Sequence, residues 1–318
     1  MRGILATSLL ALATVLPAHA AEGTLAQANA ALQAGQADKA MSILSSLPES
    51  AEVHQLKCRV QFTLEHWDAA GAECQRAVNL DSNVSDSHLW LGRALGERAG
   101  RASFLSAYSL GKSAGAEFQR AVDLDPRNAE ALADLGEFDS SAPGIVGGGT
   151  DKAEHVVALL DKVDPARAHE LRGRIADGQK DYGTAEREFK AAISVSKRPA
   201  FEWMNLASFY RRRQRWEDME SAVENGLKAA QYDRHSGVAL YNGALVLIKA
   251  NRNSVLAAKM LEDYLAGPYL TEEAPAFAAH TQLARLRAQL GDKQGAWRER
   301  SAALGLAHDY RPAQQLKF

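Results

Sequence analysis

The feature that most constrains this chain is a small residue recurring at the centre of successive amphipathic helices. Trp67 to Leu80 shows one half of the unit: Ala70, Cys74 and Ala77 fall on one helical face, and Asp81 ends the run. Ala114, Phe118 and Ala121, followed by Asp125-Pro126, repeat it, and so do Tyr182, Ala185, Phe189 and Ala192. Before these comes another amphipathic helix whose central slot holds Cys58, Gly92 or Gly173, with Gly136, Ala207 and Ala284 in the same place elsewhere. A small residue in each of two antiparallel helices lets their axes approach, and the large residue one turn away fills the remaining gap. Strand-type alternation is almost absent. The chain therefore reads as an all-α array of hairpins, each burying its apolar stripe against its neighbours.

This pattern resembles the tetratricopeptide repeat, a helix–turn–helix unit of about 34 residues. The clearest matches are His88-Leu89-Trp90-Leu91-Gly92 with Ala114 to Pro126, and Trp203 to Tyr210 with Trp216. Leu132 to Gly136 with Ala153 to Pro165, and Gly173 with Tyr182, Ala185 and Ala192, also match. The resemblance implies a right-handed superhelical solenoid over residues 21–310, with a short tail at 311–318 that caps the stack. About eight hairpins fit the template, beginning near Glu22, Ala51, Ser85, Ala129, Ala166, Ala200, Arg234 and Phe277. Two insertions break the register, one near 99–110 and a Gly-rich one near 140–149. Together with the helix around His88 they resemble a group of exported bacterial repeat proteins, which implies export and protein-level interaction rather than a reaction.

The first twenty residues read as an address. Met1-Arg2 is a positive start, Gly3 to Leu16 is apolar, Pro17 breaks the run, and Ala18-His19-Ala20 is a small-x-small cleavage site. The apolar stretch is short for a membrane span, and no other segment is long and apolar enough for one. Cleavage after Ala20 is expected, with a periplasmic or secreted product. Composition supports a folded protein with no nucleic-acid partner: 46% of residues are hydrophobic, and 37 basic residues against 39 acidic leave a net charge of −2, so no global basic field exists.

Candidate sites are few. His54, His88, His169 and His280 fall at one register position, the fourth residue of a first helix, which Trp203 occupies in the sixth hairpin. Stacked repeats hold such positions too far apart to share a metal, so packing is their expected role, and no metal or cofactor is expected. Gly144 to Thr150, with Thr150 as a helix N-cap, lacks the order of a phosphate-binding loop and reads as an edge loop whose Ile145 and Val146 contact a partner. No triad, metalloprotease or EF-hand pattern appears, so no catalytic residue is assigned. Arg211 to Arg215 reads as a solvated charge run.

In the repeat family the ninth residue of each unit faces a concave groove. That position carries Asn29, Arg59, Arg93, Glu137, Arg174, Ser208 and Arg285. Asn29, Arg59 and Arg93, with Arg174 further along, resemble the polar ladder that holds a peptide carboxylate, for which the planar guanidinium is suited. The match is partial, because the accompanying fifth positions are Leu25, Gln55 and Leu89, and a solvated, salt-bridged wall is the alternative. Cys58 and Cys74 both face the seam of the second hairpin, and in an oxidising compartment they are expected to form a disulfide; two buried free thiols are the alternative. The expected function is a non-enzymatic exported adaptor binding a peptide or protein partner in its groove. The alternatives are a structural subunit of an envelope assembly and an accessory enzyme using the 140–150 loop.

Overall fold

The computed structural model describes residues 19–318, with side chains from Thr24 onward. The apolar leader falls outside the described residues. Helices α1 (His19–Gln33) and α2 (Ala37–Ser45), α3 (Ala51–Thr63) and α4 (Trp67–Leu80), and α5 (Ser85–Ala99) and α6 (Phe104–Leu124) form the first three hairpins. Helices α7 (Ala129–Ser141) and α8 (Thr150–Val163), α9 (Pro165–Gly178) and α10 (Tyr182–Val195), and α11 (Pro199–Arg212) and α12 (Trp216–Ala230) form the next three. Helices α13 (Gly237–Ala250), α14 (Ser254–Ala266), α15 (Ala276–Gln289) and α16 (Lys293–Leu306) complete the array, and α17 (Arg311–Gln314) follows it. No strand occurs among the described residues. The fold is an all-α helical-hairpin solenoid.

Local chemistry starts the helices where the chain demands it. Ser50, Asn128, Asp164, Asp181, Asn253 and Asp292 each accept a backbone N–H from the first turn that follows, satisfying donors a helix leaves unpaired. Pro165 and Pro199 sit in first turns, where a missing N–H costs nothing. Thr150 is not a cap: Gly149 holds that position, and α8 begins without a side-chain capping bond.

The small central residues work as read. A Cβ on Gly92 would lie 2.6 Å from the Phe118 ring, and one on Gly173 would lie 3.1 Å from that of Phe189. The second hairpin uses a different solution at the same two positions. Cys58 and Cys74 are disulfide-bonded across the seam, with their Cα atoms 5.1 Å apart.

The four histidines follow a rule that their own positions do not reveal. His54, His169 and His280 each place Nδ1 2.6–2.7 Å from a glutamate 19 residues later, on the paired helix: Glu73, Glu188 and Glu299. His88 does the same with Glu117 at 2.5 Å, 29 residues on, because its hairpin carries the first insertion. Where the histidine is absent the glutamate is absent too: Leu132 faces this slot with Val156, and Trp203 with Ala222. The slot is therefore a pair, polar or apolar throughout. Glu117→Val leaves the buried His88 ring nitrogen without its acceptor and is expected to cost about 1–3 kcal/mol. Adding His88→Leu, which installs the pair of the fourth hairpin, should recover most of that loss in urea unfolding. A double variant no more stable than the single one would rule the pairing out.

The array does not stay open. Its last hairpin packs on its first two, so a single apolar cluster contains Leu32, Leu44 and Val60 together with Phe277, Ala303 and Tyr310. Asp38 accepts from the His308 backbone N–H at 2.9 Å, and the Tyr310 hydroxyl donates to Glu65 at 3.1 Å. Gly35, at φ +67°, lies so close to Ala276 that a Cβ would sit 2.5 Å from its backbone nitrogen. Burial only against sequence neighbours is thus incorrect for the end hairpins, whose stripes meet each other. The tail contributes α17, whose Ala313 is fully buried in the same cluster.

Candidate functional site

Closing the array forms an open cavity of about 780 Å³ between α3, α5 and α7 on one side and the α14–α15 connection with Tyr241 and Tyr310 on the other. Its apolar walls are Phe62, Trp90, Phe118, Phe138 and Tyr310, with Phe62 edge-on to Trp90 at 5.3 Å. Trp90 also carries guanidinium groups: Arg93 lies 4.7 Å and Arg59 5.7 Å from the ring centroid, within the range of cation–π attraction.

The groove arginines are paired with acids of this same chain. Arg59 donates from Nε to Glu272 Oε2 at 3.0 Å, and from Nη2 to Glu272 Oε1 and to Asn29 Oδ1, the latter at 3.3 Å. Gln33 completes this clamp: its side-chain N–H donates to Glu272 at 3.0 Å and its carbonyl accepts the Glu272 backbone N–H at 3.3 Å. Arg93 donates to Asp134 at 2.5 Å and to Glu130 at 3.1 Å. Burial alone would lower its pKa, but the two carboxylates outweigh this and raise it. Arg174 stands apart from these residues and pairs with Glu170 at 2.9 Å and Glu137 at 3.2 Å. The structure thus brings Asn29 and Arg59 together and sets Arg93 across the Trp90 ring from Arg59.

The decisive partner, Glu272, lies in the connection between α14 and α15, where the repeat pattern marks nothing. This segment is held from within. The buried Tyr264 hydroxyl donates to the Ala274 carbonyl and accepts the Thr271 backbone N–H. Glu273, next in sequence, makes no ion pair or hydrogen bond among the described residues. Burial raises its pKa and Glu130 adds to this, with Arg167 and Arg93 opposing. Glu202, on α11 of the same inner wall, is pushed up to about 7 by burial and then by Glu170.

The Arg211–Arg215 run is not simply solvated. Arg212 reaches Asp177 at 3.1 Å, Arg213 lies over Tyr182 at 4.4 Å, and Arg215 pairs with Glu186 and lies over Tyr210 at 4.5 Å. It fastens the fifth hairpin to the sixth.

The two insertions meet on the outside. Val146 packs against Gly111 of α6, and around this contact Phe104, Leu105 and Ile145 are 76–87% exposed. Beneath the Gly-rich loop a cavity of about 590 Å³ is lined by Phe138, Val146 and the buried Asp139. Burial pushes the Asp139 carboxyl up to about 6, with Lys152 opposing. Lys152 itself donates to the Gly147 carbonyl at 2.6 Å.

No family model and no curated protein matches the chain. The chain is similar to solved structures of low sequence identity. One is a tetratricopeptide repeat protein from Parabacteroides merdae, 12% identical over 93% of this chain and 100% of that one, with a TM-score of 0.46. Another is pilF of Pseudomonas aeruginosa, 18% identical over 73% of this chain and 97% of that one, with a TM-score of 0.38. A third is MamA, 16% identical over 54% and 93%, with a TM-score of 0.36. The fold is an all-α helical-hairpin solenoid that resembles the tetratricopeptide repeat. The helix pairing and the repeated small residues carry that statement, and the likenesses add no detail of site or partner. No described helix is long and apolar enough to cross a membrane.

Proposed function

We propose that this chain is an exported, non-enzymatic adaptor that holds a segment of a protein partner in the open cavity between its hairpins. The observation that carries the reading is the cavity itself, a concave aromatic-walled space with convergent polar groups, which is where ligands are generally bound. Export rests on the apolar leader and on Ala18-His19-Ala20. Cleavage there removes the first two residues of α1, and the mature protein should begin Ala21-Glu22-Gly23 on N-terminal sequencing. A mature protein retaining Met1 would refute export by this route.

The exposed apolar side chains of the two insertions favour a second reading, a structural subunit assembled through its outer edge. A photo-crosslinking residue placed at Trp90 in one variant and at Tyr108 in another separates the two in intact envelopes. The cavity reading expects a protein adduct from position 90. Adducts from position 108 alone would favour the outer edge.

A further inference from the structure

We propose that the segment received by the cavity is basic: an extended stretch of a partner polypeptide that presents lysine or arginine side chains to the cavity carboxylates and lays their stems on its aromatic rings. This deepens the adaptor reading and rests on it.

Charge is the first support. Glu65, Glu97, Asp134, Glu137, Glu272 and Glu273 line the cavity, and Arg93 is the one cation among the lining residues. Arg93 and the nearby Arg59 are each already held by carboxylates, so neither is free for an incoming acid. Glu273 faces the space without an ion pair. Glu97, Asp134, Glu137 and Glu272 are held by Arg101, Arg93, Arg174 and Arg59, so an acidic peptide would have to displace Glu272 from its clamp, whereas a basic one meets Glu65 and Glu273, which make no ion pair among the described residues.

The second support is independent of charge. Tyr241 is only 8% exposed, yet it lines the cavity and its hydroxyl makes no hydrogen bond to the protein among the described residues. The hydroxyl itself is not sealed from solvent, so a ligand entering the space can reach it. It can accept from an ammonium, a guanidinium or a peptide N–H. The third support is the rings. Trp90 already takes two guanidinium groups at cation–π distance, and the half-buried Phe62 and Phe138 offer further apolar surface for the stems of long basic side chains.

Random twelve-residue peptides displayed on phage supply the probe, selected on the full mature protein. Enriched sequences are then resynthesised with fluorescein and titrated by anisotropy. Gly96 lines the cavity, and a Cβ there meets nothing within 4 Å, so Gly96→Trp starts a large ring into the space from an unobstructed position. Glu273→Lys inverts the unpaired charge without orphaning a partner. The expected result is enrichment of net-positive sequences whose affinity falls about tenfold or more in both variants, and severalfold in Tyr241→Phe, with circular dichroism unchanged. Binding should also weaken as salt is raised. Enriched peptides that are neutral or acidic, yet lost in Gly96→Trp, would overturn the charge inference and leave the cavity reading standing. Peptides that bind Gly96→Trp as tightly as the wild type would overturn the cavity reading itself, and a selection that enriches nothing would overturn both.

Discussion

Gly35→Ala is expected to destabilise the protein by more than about 3 kcal/mol, whereas Gly291→Ala costs only about 1–2 kcal/mol. Both glycines have positive φ, +67° and +88°, and both end the first helix of a hairpin. Both therefore carry the same penalty for a side chain in the left-handed region. They differ in what surrounds them. A Cβ on Gly291 meets nothing within 4 Å, but one on Gly35 would lie 2.5 Å from the Ala276 backbone nitrogen, where the last hairpin docks on the first. The difference between the two variants thus measures the closing contact. Gly35→Ala should also enlarge the radius of gyration in solution scattering, because the last hairpin can no longer seat. Equal losses in urea unfolding would show that closure contributes nothing to stability. The same contact bears on cooperativity: an open solenoid unfolds from its ends, whereas a ring whose ends bury each other has no free end to fray.

Loss of the Cys58–Cys74 bridge is expected to cost about 3 kcal/mol, the value for closing a loop of roughly 15 residues in the unfolded chain. The bridge lies 16 residues apart in sequence. The neighbouring repeats show how to separate the constraint from the packing. Gly92 with Phe118 and Gly173 with Phe189 fill the same two positions without a covalent bond. Cys58→Gly with Cys74→Phe therefore restores the packing alone. It should stay well below the wild type under oxidising conditions and match or exceed it once the wild type is reduced. Intact-mass measurement gives the direct check: the denatured oxidised protein takes up no alkylating reagent until a reductant is added. Two alkyl groups before reduction would refute the bridge.

The helical hairpins, their small–large packing and the two insertions were legible in the sequence because they depend on contacts a few turns apart. Period 3.6 and the spacing between paired helices report such contacts directly. The His–Glu pairing was also written there, as a constant interval of 19 residues that lengthens to 29 where the insertion falls. The shared register of the four histidines hides it, because the interval shows only when each histidine is set against its partner helix. The ninth position puts the arginines on the inner wall and allows for salt bridges there, but it does not name their partners. Arg59 is neutralised by Glu272, 213 residues away in a connection outside the repeat pattern.

Sequence alone thus determined the repeating unit: which residues are helical, which face is buried and where two helices approach closely. These follow from local periodicity and side-chain volume. Only the tertiary structure decided that the array closes, that its inner arginines are already paired and that acid exceeds base in the space it encloses. Closure is the sum of small rotations between successive hairpins, and two of those hairpins are distorted by insertions. No local pattern encodes that sum, yet it alone brings the α14–α15 connection against α1 and α3 and sets the charge of the cavity between them.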